Sequence, residues 1–187
     1  MLAGSVHPHP MSSILACEED EIAMKGEKEP LPELPWTGGC QCGQVRYTLK
    51  EMPLTLYACH CTECQKQSSS AFGLSCRVRK AAMKVTGETA SWQRPAQSGR
   101  TLLAIFCPQC GSRLFHERAG YSGDPDGATM NIKGGSLDIA RFLEPVGHIW
   151  VKSKNAGTVI PKEAIIHEGQ PEDYGDMVAE WQRRHGT

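Results

Sequence analysis

The sequence lacks the features that mark several common classes of protein. It contains no run of about 18 consecutive apolar residues, and no basic region followed by an apolar stretch of signal-peptide length at its N-terminus. Its formal net charge is -1, with 20 Lys and Arg against 21 Asp and Glu, so a basic surface for binding phosphates is not expected. Nucleic acids and membranes are therefore not predicted partners. We expect an unexported, cytoplasmic protein.

Long helices are also not expected from the composition. The 187 residues include 19 Gly and 12 Pro, while hydrophobic residues make up 40% and charged residues 22%, close to ordinary globular usage. Eight short runs rich in β-forming residues are separated by turn-forming residues, at 45–49, 55–59, 71–78, 83–85, 101–106, 113–116, 129–132 and 148–151. The pattern predicts a mainly β fold of small antiparallel sheets.

Three segments of the chain differ in composition. Residues 1–35 are rich in Pro and acidic residues and predict a flexible tail, whereas residues 36–155 hold the predicted strands and most of the cysteines. Residues 156–187 form a C-terminal extension with a predicted amphipathic helix at 172–185. Its apolar residues lie at the spacing i, i+3, i+4 and i+7, namely Tyr174, Met177, Val178 and Trp181. Packing of this stripe on its own domain is favoured over a partner surface.

The nine cysteines are the most informative residues of the chain. Most fall in close groups, and cysteines separated by one residue do not easily form a disulfide with each other. In the reducing compartment expected here, clustered thiols are typical metal ligands. Outside the groups, Cys76 lies in a predicted strand and is expected to be a small core residue, whereas Cys17 in the tail is expected to be a free thiol.

Two of the groups predict a closed structural zinc site. Cys107 and Cys110 are separated by two residues and followed by Gly, which is typical of a zinc knuckle, and Cys40 and Cys42 form a second pair followed by Gly. Together the pairs offer four thiolates. An alternative joins Cys107 and Cys110 to two cysteines of the middle group.

The middle group predicts a second, open zinc site. Cys59, Cys61 and Cys64 offer three thiolates within six residues, and three protein ligands with a free position are typical of catalytic zinc. His60 is an alternative fourth ligand that would close the site. We favour a packed or outward His60, because its side chain alternates with those of Cys59 and Cys61 along a predicted strand.

Three motifs in this order resemble the glutathione-dependent formaldehyde-activating enzyme family, which includes the centromere protein V type. They are Gly38-Gly39-Cys40-Gln41-Cys42-Gly43, Cys59-His60-Cys61-Thr62-Glu63-Cys64 and Cys107-Pro108-Gln109-Cys110-Gly111. The resemblance runs from about Trp36 to Ser153. It implies small β-sheets pinned by zinc knuckles and two zinc ions per chain. The segment 65–69 lacks a Gly that the family often has, so the loop beside the second zinc is expected to differ.

The resemblance implies a carbon-sulfur lyase of the S-hydroxymethylglutathione synthase type, with glutathione as co-substrate. Three thiolates make a soft zinc site, which suits the joining or cleavage of a small-molecule thiol and a carbonyl compound such as formaldehyde. His148 and Glu63 are candidates to protonate the product oxygen, and Asn131 or Lys133 could orient it. The alternative is a non-catalytic module, stabilised by zinc, that binds thiols or proteins.

Overall fold

A computed structural model of the chain describes residues 29–96, 99–119 and 128–186. Most of the predicted N-terminal tail, including Cys17, lies outside these ranges. Within them the protein is mainly β, as the sequence predicts, with short strands, two helices and several 3₁₀ turns. Neither described helix has the length and apolar character that a membrane-spanning segment requires.

Three strands form a small antiparallel sheet: β1 (Trp36–Gly39), β2 (Arg46–Leu49) and β5 (Met83–Thr86), in the order β1-β2-β5. The turn between β1 and β2 contains the first cysteine pair. Arg46 of β2 is ion-paired with Asp138, whose carboxylate also accepts a hydrogen bond from Thr37 at 2.6 Å. These contacts fasten the small sheet to a segment that connects two strands of the larger one.

The larger sheet has eight strands in the order β11-β10-β3-β4-β9-β8-β7-β6. Their bounds are β3 (Thr55–Cys59), β4 (Gly73–Arg79), β6 (Ala90–Pro95), β7 (Thr101–Phe106), β8 (Arg113–Arg118), β9 (Thr129–Lys133), β10 (Gly147–Ile149) and β11 (Ile165–His167). Neighbouring strands are antiparallel, as predicted, except at one end, where β10 runs parallel to both β3 and β11. Parallel pairing there needs long connections, which the chain provides on either side of β10.

Four elements were not predicted: β1, β6, β11 and a short helix, α1 (Thr62–Ser68). The predicted strand at 148–151 ends early, at Ile149, because Trp150 adopts a left-handed backbone with φ 60° and the chain continues as a 3₁₀ turn. Helix α1 begins directly after Cys61, whose sulfur accepts a hydrogen bond from the backbone N–H of Cys64 at 3.4 Å. A sulfur at the N-cap thus satisfies one of the free N–H groups of the first turn.

The main core lies between the small sheet and one face of the large sheet. Tyr47 of β2 contacts the ring of Phe115 of β8 edge to face, with ring centroids 5.0 Å apart. Cys76 of β4 is fully buried in this layer, which confirms the prediction of a small core residue, and burial raises the pKa of its thiol. The opposite face of the large sheet does not take part in this core layer.

The C-terminal helix α2 (Gly175–His185) begins three residues later than predicted. Met177 and Trp181 on its apolar side are fully buried, and Thr55 of β3 donates a hydrogen bond to the carbonyl oxygen of Met177 at 3.0 Å. The apolar stripe therefore packs on its own protein, as predicted, and does not form a partner surface. β11 extends the large sheet, so the segment after 155 is part of the same packed structure.

Candidate metal centres and the adjoining cavity

The first cysteine cluster joins two turns that belong to different sheets. Cys40 and Cys42 lie in the β1–β2 turn, and Cys107 and Cys110 lie in the β7–β8 turn. Their sulfur atoms all lie within 4.8 Å of one another, with 3.5 Å between Cys40 and Cys42 and 3.7 Å between Cys42 and Cys107. The structure thus brings together the two pairs that the spacing favours.

The backbone of each turn is shaped for a metal knuckle. Gly43 and Gly111, which directly follow the second cysteine of each pair, have φ values of 79° and 73°, a region in which a side chain would be strained. The N–H of Val45 donates a hydrogen bond to the sulfur of Cys40 at 3.2 Å. Such N–H donors stabilise a thiolate, the form in which cysteine binds zinc. The all-cysteine donor set therefore fits a closed tetrahedral zinc site.

The second cluster is formed by Cys59, Cys61 and Cys64, at the end of β3, at the N-cap of α1 and inside α1. All three side chains are buried, and their sulfur atoms also lie within 4.8 Å of one another. Gly73 of β4 pairs with Cys59, and a Cβ atom at that glycine would lie 3.1 Å from the Cβ of Cys64. Because Gly73 has no Cβ atom, it leaves room for the side chain of Cys64.

The three thiols of this cluster strongly influence one another. Hydrogen bonds from Cys59 and Cys64 lower the pKa of the Cys61 thiol to about 2, and the positive charge of Arg94 acts in the same direction. The neighbouring thiols conversely raise the pKa of Cys59. A thiolate is thus favoured at Cys61 alone, because the pKa values of Cys59 and Cys64 are both raised. A set of three cysteines fits zinc or another soft metal ion, and among the described residues no fourth ligand joins it.

His60 is packed away from the sulfur atoms, as the alternation along the strand predicts. Its side chain is fully buried, and its Nε2 lies 2.9 Å from Nδ1 of His148. The two imidazole rings are stacked, with Phe72 beside them. His60 therefore stands beside the cluster in sequence without contributing a ligand.

The structure does not bring His148 to the three cysteines. In the parallel pairing of β10 with β3, His148 is opposite Ala58 while Ile149 is opposite Cys59. Because paired residues project to the same face of a sheet, Ile149 shares the face of Cys59 and His148 projects to the other one. Burial lowers the pKa of His148 to about 4, and the neighbouring His60 adds to this effect.

A cavity of about 960 Å³ lies on the face of the large sheet that carries Cys59. Its wall includes the three clustered cysteines and Glu63, whose carboxylate lies 3.2 Å from the amine of Lys66. Asn131 also lines it and accepts a hydrogen bond from the hydroxyl of Tyr57 at 3.0 Å. Of the residues predicted to handle the product oxygen, Glu63 and Asn131 are thus placed at the cavity. Lys133 lines a second cavity, to whose wall Gly73 also contributes.

Several polar residues around the cysteines were not anticipated from the sequence. Ser75, Arg94 and His116 line the main cavity, and Arg113 lines the second one beside Lys133. They come from three different strands, β4, β6 and β8, and none belongs to a cysteine motif. Alternation along each strand was the only signal available, and it does not say which strands become neighbours.

The fold and the two cysteine clusters define a mainly β protein with two sites that could bind metal ions. Residues 35–153, more than half of the chain, match the family described as glutathione-dependent formaldehyde-activating enzyme, and the chain belongs to this family. The family suggested by the three cysteine motifs is thereby confirmed.

Other comparisons add little to this assignment. No curated protein matches the sequence. One solved structure that matches is the crystal structure of a Rhodobacter sphaeroides protein, with 16% sequence identity and a TM-score of 0.43. The match covers 70% of this chain and 98% of that chain.

Proposed function

We propose that the chain is a zinc-dependent carbon-sulfur lyase of the S-hydroxymethylglutathione synthase type, acting at Cys59, Cys61 and Cys64. The observation that carries the proposal is a cluster of three cysteines in a cavity wall, with no fourth protein ligand among the described residues. Three protein ligands with one open position are the arrangement of catalytic zinc. Family membership supports glutathione as the thiol and formaldehyde as the carbonyl compound.

The reaction needs a sulfur nucleophile and a means of handling one proton. Zinc bound by the three cysteines would hold the substrate sulfur as a thiolate. In the forward direction a carbon-sulfur bond forms, the carbonyl oxygen becomes a hydroxyl group, and the proton of the thiol is transferred to it without oxidation or reduction. The reverse direction breaks the carbon-sulfur bond and returns the thiol and the carbonyl compound.

Residues in the cavity can orient the carbonyl oxygen and transfer the proton. Because the side-chain oxygen of Asn131 accepts a hydrogen bond from Tyr57, the amide nitrogen is the group that Asn131 can direct at a substrate oxygen. Glu63 lies at the cavity and is the candidate to take up the proton released by the thiol and pass it to that oxygen. His148 is on the opposite face of the sheet, so we assign it no part in this step.

The first cluster has a different proposed role. Cys40 and Cys42 belong to the small sheet, while Cys107 and Cys110 belong to the large one. A zinc ion shared by the two turns would fasten the sheets to each other with all four positions occupied by protein. We therefore assign structural zinc to this cluster.

The proposal is tested by exchange between glutathione and formaldehyde, followed by magnetisation-transfer NMR on the zinc-loaded full chain. Wild type should accelerate the exchange above the spontaneous rate, and Cys64→Ser at equal concentration should return it to that rate. Cys76→Ser is the matched control, because this buried cysteine belongs to neither cluster. Circular dichroism and zinc content establish that each variant is folded.

The same experiment separates the lyase from a non-catalytic module. A thiol-binding module would bind glutathione, which a Co²⁺-substituted sample would report as a changed thiolate charge-transfer band, and would leave the exchange rate at its spontaneous value. That result would overturn the lyase assignment for this substrate pair.

A further inference from the structure

Several polar side chains that line the two cavities have buried atoms without a hydrogen-bond partner among the described residues. They are Ser75 (Oγ), Arg94 (Nε), Arg113 (Nε and Nη2) and His116 (Nδ1), together with one acceptor oxygen each of Gln67 and of Glu117, whose carboxylate is ion-paired with Lys80. Ser75 and Arg94 are only 1% and 5% exposed. Buried polar groups are normally hydrogen-bonded in folded proteins, so a group of unsatisfied donors around one place points to a ligand.

The strand register places these groups around the second cysteine cluster. Gly73, which pairs with Cys59, is followed two residues later on the same face by Ser75, and Ser75 is opposite Lys133 of β9. Lys133 and Arg113 line the second cavity together with Gly73. Arg94 lines the main cavity together with the three cysteines. Arg94 thus approaches the cluster from the main cavity, where its charge lowers the pKa of Cys61. Lys133 and Arg113 approach from the second cavity, and both interact electrostatically with Cys64.

Arg94, Arg113 and Lys133 lie close enough that the positive charge of one disfavours the charged form of another. Burial lowers the pKa of Lys133, and the charges of Arg113 and Arg94 lower it further. Burial and the charge of Arg94 likewise lower the pKa of Arg113. None of the ion pairs between described residues supplies a carboxylate to this group, since Glu63 is paired with Lys66 and Glu117 with Lys80.

The thiolates of the metal site balance only part of this positive charge. A divalent ion with three cysteine thiolates carries one negative charge, and a substrate thiolate as fourth ligand brings the total to two. Against these three cations alone, one positive charge is left over. Formaldehyde is neutral and has a single oxygen, so it neither neutralises this charge nor satisfies the free donors.

We infer that the carbonyl substrate which this site prefers over formaldehyde is a 2-oxo acid, whose carboxylate is bound by Arg94, Arg113 and Lys133; this rests on the proposed carbon-sulfur lyase function. In its adduct with a thiol, the carboxylate is attached to the carbon that bonds to sulfur. It therefore lies where the cations approach the sulfur atoms. Glutathione carries its own carboxylates several bonds away from its sulfur, so neither of them is attached to the carbon that bonds to sulfur in the adduct.

The chemistry is the same addition as for formaldehyde. The thiolate sulfur bonds to the 2-oxo carbon, the electron pair of the carbonyl bond moves to oxygen, and that oxygen takes up the proton released by the thiol. Nothing is oxidised or reduced. The arginines also align the acid, because a guanidinium group can donate two parallel hydrogen bonds to one carboxylate.

Binding is tested first with oxamate, an unreactive analogue of a 2-oxo acid, by calorimetry on the zinc-loaded full chain. Wild type should bind oxamate at least about tenfold more tightly than its neutral methyl ester, since hydrogen bonds between charged groups are the strong ones. Arg94→Gln and Lys133→Gln should each lose about tenfold or more of the oxamate affinity. Arg141→Gln, which removes an exposed arginine paired with Glu29, should leave it unchanged.

Exchange measurements then distinguish this inference from the function on which it rests. Glyoxylate with glutathione should exchange faster than formaldehyde with glutathione, and Lys133→Gln should slow only the former. Acceleration with formaldehyde but no preference for oxamate over its ester would overturn the 2-oxo acid and keep the lyase. If the variants lost affinity for glutathione but kept their affinity for oxamate, the three cations would bind the carboxylates of glutathione, and the inference would also be overturned. Oxamate binding without exchange for either carbonyl would overturn the lyase.

Discussion

Ser69 adopts a backbone conformation that suits glycine better than serine. It is the C-cap of α1, with φ 48° and ψ 39°, and it lies in the segment where the family often has Gly. A left-handed conformation costs a residue with a Cβ atom roughly 1 kcal/mol, part of which Gly gives back through its freedom in the unfolded chain. We expect Ser69→Gly to raise the free energy of unfolding by about 0.5 kcal/mol, as measured by urea denaturation.

The neighbouring serine provides the control for this substitution. Ser70 does not have a positive φ, so Ser70→Gly has no strain to relieve and should be neutral or destabilising. Equal effects of the two substitutions would show that the strain at Ser69 is negligible.

The pKa of His148 predicts how its side chain affects stability in acid. Its folded pKa of about 4 is below the usual histidine value of 6.5, because burial disfavours the charged ring. Between these pH values the unfolded chain binds a proton that the folded chain does not, so this histidine reduces stability progressively as the pH falls from 6.5 to 4. We therefore expect the unfolding midpoint of His148→Gln in urea to depend less on pH than that of wild type.

Two features keep this measurement interpretable. His148→Gln should itself be less stable at pH 7, since it replaces a buried ring that contacts His60. Zinc content is therefore measured at each pH, so that loss of metal is separated from protonation of histidine. Parallel pH profiles for the variant and wild type would contradict the prediction.

At the scale of elements, the contact between β10 and α2 leaves no space for a side chain at Gly147. A Cβ atom there would lie 2.5 Å from the sulfur of Met177, which is itself fully buried. Overpacking of this kind typically costs about 1–3 kcal/mol, and we expect Gly147→Ala to reduce the free energy of unfolding by that amount. Thermal or urea unfolding of the purified variant measures it.

Gly157→Ala is the matched control, because a Cβ atom at Gly157 would have no neighbour within 4 Å. It should change stability by no more than about 0.5 kcal/mol. If Gly147→Ala were equally harmless, α2 would not be held against β10 as tightly as the structure indicates.

At the scale of the whole molecule, the two clusters predict the metal content. A sample purified under reducing, chelator-free conditions should contain about two zinc ions per chain, one for each cluster, as measured by plasma mass spectrometry. Titration of free thiols reports the same result independently. One zinc ion, with the three thiols of the second cluster free in a folded sample, would exclude the second site.

The clusters should differ in what their loss does to the fold. Cys107→Ser removes a ligand from the site that joins the two sheets. Because the free energy of zinc binding at that site contributes to the free energy of folding, we expect an unfolded or aggregated chain. Cys64→Ser changes a site built from one continuous segment and should leave a folded protein with one zinc ion. Thermal melts and zinc content test both variants, and an equal loss of structure would show that the second cluster is also structural.

Three features could be predicted because each depends on residues that are neighbours in the sequence. They are the clustering of the cysteines within each motif, the mainly β character and the buried stripe of the C-terminal helix. Gly43 and Gly111 likewise indicate turns from local sequence alone, because each directly follows a close pair of cysteines. Helix α1 was missed, since only seven residues form it and the cysteines around it also fit a strand. Its stability comes from the N-cap at Cys61 and from tertiary contacts, which a short periodic pattern does not contain.

The sequence by itself thus determined the three cysteine motifs and the family, while only the tertiary structure decided how the motifs group and what surrounds them. His148 illustrates the reason. A shift of one residue in strand register exchanges the two faces of a strand, and the parallel pairing of β10 with β3 puts Ile149, and not His148, beside Cys59. Arg94, Arg113 and Lys133 likewise come from three strands that meet only through sheet order, which long-range packing determines and local sequence does not.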